Sequence, residues 1–279
     1  MRNADSQGVC IAVGFFDGVH LGHQAILAGA DTVLTFNNHP LSVLAPESAP
    51  RLIMSADDRI AAIKACGISN VVSLDFTREL SVMPPEDFAS KHLKARCVRC
   101  GENWRFGKGG RGDADLLRRL GMEVVVVPYS EYNGERVSST RIRAALEAGD
   151  VESANAMLGR EFEISGTAIK GKGLGSKIGY PTVNIAVDDL PGSERVRLPR
   201  GVYEVLAGGA RGIANYGVAP TMRERSWKSP MLEVHFLGDV PEVSQYCVKF
   251  IRFIRPEREF KSLEELRRQI AADCAIMTA

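Results

Sequence analysis

The feature that most constrains this chain is a change of rhythm past its middle. Through residue 129, apolar runs rich in branched residues alternate with helix-patterned segments. "VCIAVGFF", "TVLTF", "NVVSLDF", "ARCVRCG" and "EVVVVPY" read as buried strands, with "RIAAIKACG", "PEDFASKHLK" and "DADLLRRLG" as helices among them. Parallel neighbours need crossovers, so this alternation predicts an α/β domain with a parallel sheet and helices on both faces. From about Phe162 the runs shorten. "FEISGTAI", "GVYEVLAG", "ARGIANYG", "LEVHFLG" and "QYCVKFIRFI" predict an antiparallel barrel or sandwich. The last segment, "SLEELRRQIAADCAI", opens on a Ser-x-x-Glu cap and predicts a closing helix. The boundary is expected in "LGREFE", giving domains 1–160 and 161–279.

A chain of 279 residues can bury two such cores. With 45% hydrophobic residues, 25% charged residues and a net charge of +1, it lacks the basic excess of a general nucleic-acid binder. Acidic ligands must therefore be held by local arrangement. "MRNADSQGVC" carries no apolar signal core and no run is long enough to span a bilayer, which predicts a cytoplasmic protein without a membrane partner. The cysteines, Cys10, Cys66, Cys97, Cys100, Cys247 and Cys274, are scattered. The single C-x-x-C at Cys97 and Cys100 lacks a second pair, so reduced thiols are expected rather than a metal or redox site.

"GFFDGVHLGH", residues 14–23, falls where the first strand hands over to a helix, at the sheet end where such folds bind ligands. The H-x-G-H spacing sets His20 and His23 on one helical turn, where imidazoles and amides converge on an anion. Gly18 and Gly22 permit close approach of a phosphate. Two histidines alone read more readily as core or cap residues; the strand, the Asp-Gly turn and the paired spacing together reverse this in favour of the anion site. "RVSSTRIR", residues 136–143, is a second candidate, with Ser138 or Ser139 capping a helix beside Arg136 and Arg143. Taken alone it is an ordinary cap with solvated arginines.

"KGKGLGSKIGYPTVN", residues 170–184, can wrap a polyphosphate or form a surface hairpin, and it is not a P-loop. Thr182 and Asn184 bring hard oxygens suited to Mg²⁺. "LEVHF" sets Glu233 and His235 on one strand face and Leu232 and Val234 on the other. A carboxylate there can serve as a general base or simply face solvent.

In order, and together with "TFNNHP", "GENWRFGKGGRGD" and "NYGVAPT", these motifs resemble the bacterial bifunctional riboflavin kinase and FAD synthetase family over nearly the whole chain. The resemblance implies a Rossmann-like nucleotidylyltransferase domain, then a Greek-key barrel riboflavin kinase domain with a C-terminal helix. It implies ATP and Mg²⁺, with riboflavin phosphorylated to FMN and FMN adenylylated to FAD as pyrophosphate leaves. In the first domain it implies His20 and His23 at the ATP phosphates, and a nucleotide loop of Gly14, Phe16, Asp17 and Gly18. His39 and Asn103 would line that site, and Arg136, Ser139, Thr140 and Arg143 would close over the phosphates. In the second domain it implies a polyphosphate loop of Gly171, Lys172, Gly173, Gly175, Gly179, Tyr180 and Pro181. Thr182 and Asn184 would sit by the metal, Asn215 beside the kinase site, and Glu233 at the transferred proton. FMN arrives with an ionised phosphate, so its adenylylation needs alignment and charge stabilisation, whereas the riboflavin hydroxyl must lose a proton.

The chain departs from the family pattern in several places. About fourteen residues carry the first crossover from Asp17 to Thr32, close to the minimum for parallel neighbours. Phe15 stands where asparagine is common, "TFNNHP" replaces an acid-proline pair before His39, and Ala219 stands where arginine is common. A methyl group cannot replace a guanidinium, so Lys172, Lys177 or Arg223 would have to compensate. Two narrower readings remain: adenylyl transfer alone beside an impaired kinase domain, and a flavin-binding protein without turnover. The expected partners are small molecules, with self-association into a homo-oligomer left open.

Overall fold

Each apolar run of the first half becomes one strand of a five-stranded parallel sheet. The computed structural model describes residues 8–169, 179–187, 190, 194–217 and 231–277. In chain order the first half comprises β1 (Cys10–Val13), α1 (Leu21–Leu27), β2 (Thr32–Phe36), α2 (Leu41–Leu44), α3 (Ala56–Ala65), β3 (Asn70–Leu74), α4 (Arg78–Ser81) and α5 (Pro85–His92). Then follow β4 (Cys97–Gly101), α6 (Ala114–Arg119), β5 (Glu123–Val127), the short hairpin β6 (Glu131–Tyr132) and β7 (Glu135–Arg136), and α7 (Ser139–Ala148). The strand order is β3-β2-β1-β4-β5. The chain builds outward from β1 through β2 to β3, then returns to β1's other side as β4, so a topological switch point lies at the carboxyl ends of β1 and β4.

Alternation along β1 buries both faces. Ile11 and Val13 pack with Leu34, Phe88, Leu93, Val98 and Leu117, while Ala12 packs with Leu27, Val33, Ile63 and Ile68. Each fully buried side chain of this size contributes roughly 1.5–3 kcal/mol. The strand, Cys10–Val13, is shorter than "VCIAVGFF" suggested: the run's last residue, Phe16, already takes a left-handed φ of 59°, and Gly18 and Val19 follow at 84° and 41°. Left-handed backbone at a β-branched valine is strained, and such strain persists only where the surroundings hold it.

The short first crossover is closed by side chains. Arg99 of β4 donates to the carbonyls of Ile26 (2.9 Å) and Ala25 (3.3 Å), which the seven-residue α1 leaves open. Asp31 then pairs with Cys10 through both backbone and carboxylate, each at 2.9 Å. Cys10 and Cys97 are register partners in this sheet. Burial first, then the neighbouring Cys97, pushes the Cys10 thiol up to about 12, and burial also raises Cys100. No disulfide joins any of the six cysteines. Cys97 and Cys100 are both buried in the core around β4.

The second half comprises α8 (Val151–Leu158), β8 (Phe162–Ile169), β9 (Thr182–Val187), β10 (Gly201–Ala207), β11 (Ala210–Gly217), β12 (Met231–Phe236), β13 (Gln245–Pro256) and a C-terminal helix, Leu263–Ile276. The strands close into an antiparallel barrel, β10-β11-β12-β9-β8-β13, so the sandwich alternative falls away. The spatial order β13-β10-β11-β12 is that of a Greek key. Val205, Leu232, Val234, Val248 and Phe250 fill the barrel, and the buried phenols of Tyr203 and Tyr246 donate to Pro199 and Pro241 carbonyls at 2.6 Å.

Two ion-pair anchors hold the C-terminal helix to this barrel. Buried Glu204 takes Arg211 at 2.7 Å and Arg252 at 2.8 Å, and these arginines also donate to the carbonyls of Met277 and Ile276. Arg255 grips buried Asp273 at 2.8–3.1 Å. At the other end Asn155 of α8 donates to Phe250 O (2.8 Å) and accepts from Phe162 N (2.7 Å). By compactness the described residues divide into Met1–Arg141 with Pro191–Arg195, and Ile142–Leu190 with Val196–Ala279. This division and the expected one at 160/161 bracket the remainder of α7 and all of α8, which Asn155 ties to the barrel.

Candidate active sites

In the parallel-sheet unit, the loop after β1 is built around two histidines. His20 caps α1, its Nδ1 accepting the His23 N–H at 3.3 Å. That bond places the proton of a neutral His20 ring on Nε2. The His20 and His23 rings stack with centroids 3.6 Å apart at 16°, and Phe16 meets His23 edge-on at 5.3 Å. Because His20 takes up the His23 amide, the helix start offers imidazole in place of that amide. Gly22 lets this happen: a Cβ there would stand 3.2 Å from the His20 ring.

The loop is latched from below. Asp17 is buried, and its carboxylate accepts the Ile53 N–H at 3.1 and 3.2 Å. Its carbonyl accepts the Ser139 hydroxyl at 2.9 Å, while Ser138 takes the cap of α7 by accepting from Arg141 N at 3.2 Å. The choice left open between the two serines is thereby resolved: one caps, the other ties α7 to the histidine loop. Thr140 is exposed in the same first turn, and Arg143 lies one turn beyond Ser139 on that helix, past the unit's limit.

His39 follows β2, with its Nδ1 accepting Leu41 N–H at 3.1 Å and its ring edge-on to Phe15 at 4.7 Å. Asn103 is exposed on the turn after β4. Arg136 is exposed on β7, its guanidinium 3.4 Å over the Tyr129 ring. Gly14, His20, His39 and Asn103 thus all follow the carboxyl ends of β1, β2 and β4, around the switch point. Phe16 and Asp17 are instead buried supports of that loop. Sequence reasoning missed Arg59 and Tyr129, because nothing in "RIAAIKACG" or "VVVVPY" separates a supporting side chain from a core or surface one.

In the barrel unit, the polar residues align across strands. Asn184 of β9, Glu233 of β12 and Asn215 of β11 are direct register partners, and Thr182 pairs with His235 in the neighbouring row. Thr182 donates its hydroxyl to Glu233 Oε1 at 2.9 Å. Leu232 and Val234 point into the barrel as the alternation predicted, leaving Glu233 and His235 on the outer face. His235 Nδ1 lies 3.0 Å from Pro181 O, and its ring meets Tyr180 at 5.0 Å. Gly179 precedes them with φ 84°.

This face forms one wall of a cavity of about 180 Å³. Thr182, Asn215, Glu233 and His235 line its polar end; Val202, Ile213, Phe260, Leu266 and Ile270 line its apolar side. Asn215 Nδ2 donates to Glu257 Oε1 at 3.2 Å, and a Cβ at Gly217 would stand 2.9 Å from the same oxygen. Arg255 and Glu257, just past "QYCVKFIRFI", and Asp273, on the closing helix, also line the cavity and were missed, since neither position carries a local pattern that marks a site. Gly171, Lys172, Gly173, Gly175, Lys177, Ala219 and Arg223 lie outside the described residues. Among the described residues no three His, Cys, Asp or Glu side chains gather as a metal site. A magnesium ion shared with phosphates needs only one or two protein oxygens, which Thr182 and Asn184 can supply.

A histidine-lined switch point on one unit, and on the other a half-apolar cavity with a carboxylate at its polar end, define a protein with two transferase-type nucleotide sites. The FAD synthetase family model matches residues 2–141 and the riboflavin kinase model residues 158–279. A bifunctional riboflavin kinase/FMN adenylyltransferase of Escherichia coli (strain K12) is 33% identical, covering 98% of this chain and 93% of that protein. Its counterpart from Bacillus subtilis (strain 168) is 32% identical, covering 94% and 89%. A solved structure described as a macrolide-efflux protein from Streptococcus pneumoniae is 26% identical, covers 98% and 94%, and superposes with a TM-score of 0.84. The chain belongs to the bifunctional riboflavin kinase/FMN adenylyltransferase family. Among the described residues no helix is long and apolar enough to cross a membrane.

Proposed function

We propose that this chain phosphorylates riboflavin to FMN on its barrel and adenylylates FMN to FAD at the switch point of its parallel sheet, with ATP as donor in both reactions. The observation that carries the two-activity reading is the Asn184–Glu233–Asn215 row with its Thr182–Glu233 bond, which an adenylyl transferase alone would not need. In the first reaction the terminal ribityl hydroxyl attacks the γ-phosphorus as Glu233 accepts its proton, and ADP leaves. In the second, the FMN phosphate attacks the α-phosphorus and pyrophosphate leaves. No proton has to move, so His20 and His23, with Arg136 and Thr140, serve as donors to developing charge. Mg²⁺ held by Thr182 and Asn184 would neutralise phosphate charge at the kinase site. A cytoplasmic setting, where thiols stay reduced, suits six cysteines without a disulfide.

Incubating the purified protein with riboflavin, ATP and Mg²⁺ and separating the flavins tests this reading. FMN followed by FAD supports both activities. FAD formed only from supplied FMN restricts the chain to adenylyl transfer, and flavin binding without ATP turnover overturns both reactions.

A further inference from the structure

Among the described residues of the parallel-sheet unit, Arg59 is the largest side chain fully withdrawn from solvent, at 0% exposure. It projects from α3, whose start is capped by Ser55 accepting from Asp58 N at 3.0 Å. Its guanidinium carbon lies 4.2 Å over the centre of the Phe15 ring. Nη2 donates to the Phe36 carbonyl and reaches the Asn37 carbonyl at 3.4 Å. Nε and Nη1 are buried without a hydrogen-bond partner among the described residues. Burial lowers its pKa, and the Asp17 carboxylate works against that.

A buried guanidinium with two nitrogens unsatisfied is costly, and it persists only where something is gained from its position. What it touches is specific. Phe15 belongs to the loop after β1, and Phe36 and Asn37 belong to the turn after β2 that carries His39. The same Phe15 ring packs edge-on against His39 at 4.7 Å. One cation therefore grips both loops that border the switch point, through a π face that desolvation strengthens and through two carbonyls. Phe15 is what gives this arginine an aromatic partner.

We infer that Arg59 is a positioning residue for adenylyl transfer, clamping the Phe15 ring and the Phe36–Asn37 turn so that His39 is held at the nucleotide site. The inference rests on the reading of His39 as a wall of that site. Arg59 itself does not meet ligand, because its unsatisfied nitrogens are closed off from solvent.

The test uses the full chain, with FMN adenylylation and riboflavin phosphorylation measured side by side for Arg59→Met, Arg59→Lys, His39→Ala and Arg59→Met/His39→Ala. A displaced histidine costs at least about tenfold in kcat/KM for adenylylation, with KM for ATP rising. A merely unfolded fraction would lower apparent kcat at unchanged KM. Arg59→Lys should recover part of the loss by keeping the charge while giving up the fork. The double variant should be no worse than His39→Ala alone, because the arginine acts through the histidine. Riboflavin phosphorylation should stay at the wild-type rate. Wild-type adenylylation kinetics in Arg59→Met, or losses that multiply in the double variant, would overturn the inference and leave the site reading standing. Full adenylylation by His39→Ala would instead remove the site reading, and the inference with it. If Arg59→Met does not fold, Phe15→Leu, which removes the π face and keeps the arginine, should raise KM for ATP in the same direction; an unchanged KM there counts against the clamp.

Discussion

Thr182 and Glu233 meet diagonally across the β9–β12 ladder, hydroxyl to carboxylate, at 2.9 Å. The bond fixes one carboxylate oxygen, and on the proposed reading the carboxylate accepts the proton of the substrate hydroxyl. Replacing Glu233 with Gln preserves shape and hydrogen bonding but removes the proton acceptor. Riboflavin phosphorylation should fall by about 10²–10⁴-fold and FMN adenylylation should not change. Rates of FMN formation from riboflavin, and of FAD formation from FMN, measured on the same preparation, check this.

The stacked imidazoles of His20 and His23 give the converse outcome. His23→Ala removes one donor from the adenylyl site, and a loss of about 10²–10³ in the rate of FAD formation is expected with riboflavin phosphorylation spared. A single substitution at either site that abolished both activities in a folded protein would contradict separate sites.

Adjacent serines should separate stability from activity. Ser138 caps α7, so Ser138→Ala should cost about 1 kcal/mol of stability, read as a lower denaturant midpoint, with adenylylation intact. Ser139 ties α7 to the carbonyl of Asp17 in the histidine loop, so Ser139→Ala should lower FAD formation more than it lowers the midpoint. Equal effects of the two substitutions on both readouts would count against the division of labour.

Much of this architecture is written in local pattern. β2, β8 and β11 have the bounds that "TVLTF", "FEISGTAI" and "ARGIANYG" suggested, β2 and β11 as runs with three consecutive buried residues and β8 as an alternating one. β9 was not legible: after a glycine-lysine stretch, "PTVN" reads as loop chemistry, and only its partners β8 and β12 make it a strand. The paired histidines announced themselves by spacing, and so did the alternation that turns Glu233 outward. Arg59 and the Arg255–Asp273 pair did not, since a buried charge is identified by what surrounds it in three dimensions. Asp17 shows the same limit, since its motif was legible but its inward-facing latch on Ile53 was not.

The helix that walls the barrel cavity carries an acid-sensitive cap. Ser262 accepts from Glu265 N at 3.2 Å, and Glu265 accepts from Lys261 N at 3.0 Å. That backbone bond first, and Arg258 next, hold the Glu265 carboxyl below its ordinary value of 4.5. A depressed folded-state value means the contribution is complete above 4.5 and is lost as pH falls through the lower folded value. Stability of the wild type should therefore decline on acidification more steeply than that of Glu265→Gln, measured as urea midpoints from neutral pH downward. Parallel acid limbs would show that the cap does not respond to protonation.

Arg255 and Asp273 pose the energetic question of a buried ion pair on the cavity wall. The Asp273 side chain is 1% exposed and Arg255 19%, and Gln269 adds a donor to the carboxylate at 2.8 Å. Arg255→Met strips the carboxylate of its charge partner while leaving it desolvated, which should cost about 3–5 kcal/mol and loosen the C-terminal helix from the barrel. Removing both charges, in Arg255→Met/Asp273→Leu, should recover most of that stability, because two apolar side chains pay no desolvation penalty. Riboflavin affinity then separates the two roles of the pair. If its only task is to hold the helix, the double variant binds riboflavin as the wild type does; if Arg255 also shapes the polar end of the cavity, binding stays weak after stability has returned. Chemical denaturation and a flavin fluorescence titration of the three proteins distinguish these outcomes, and a single variant as stable as the wild type would show that the carboxylate finds water when its arginine is gone.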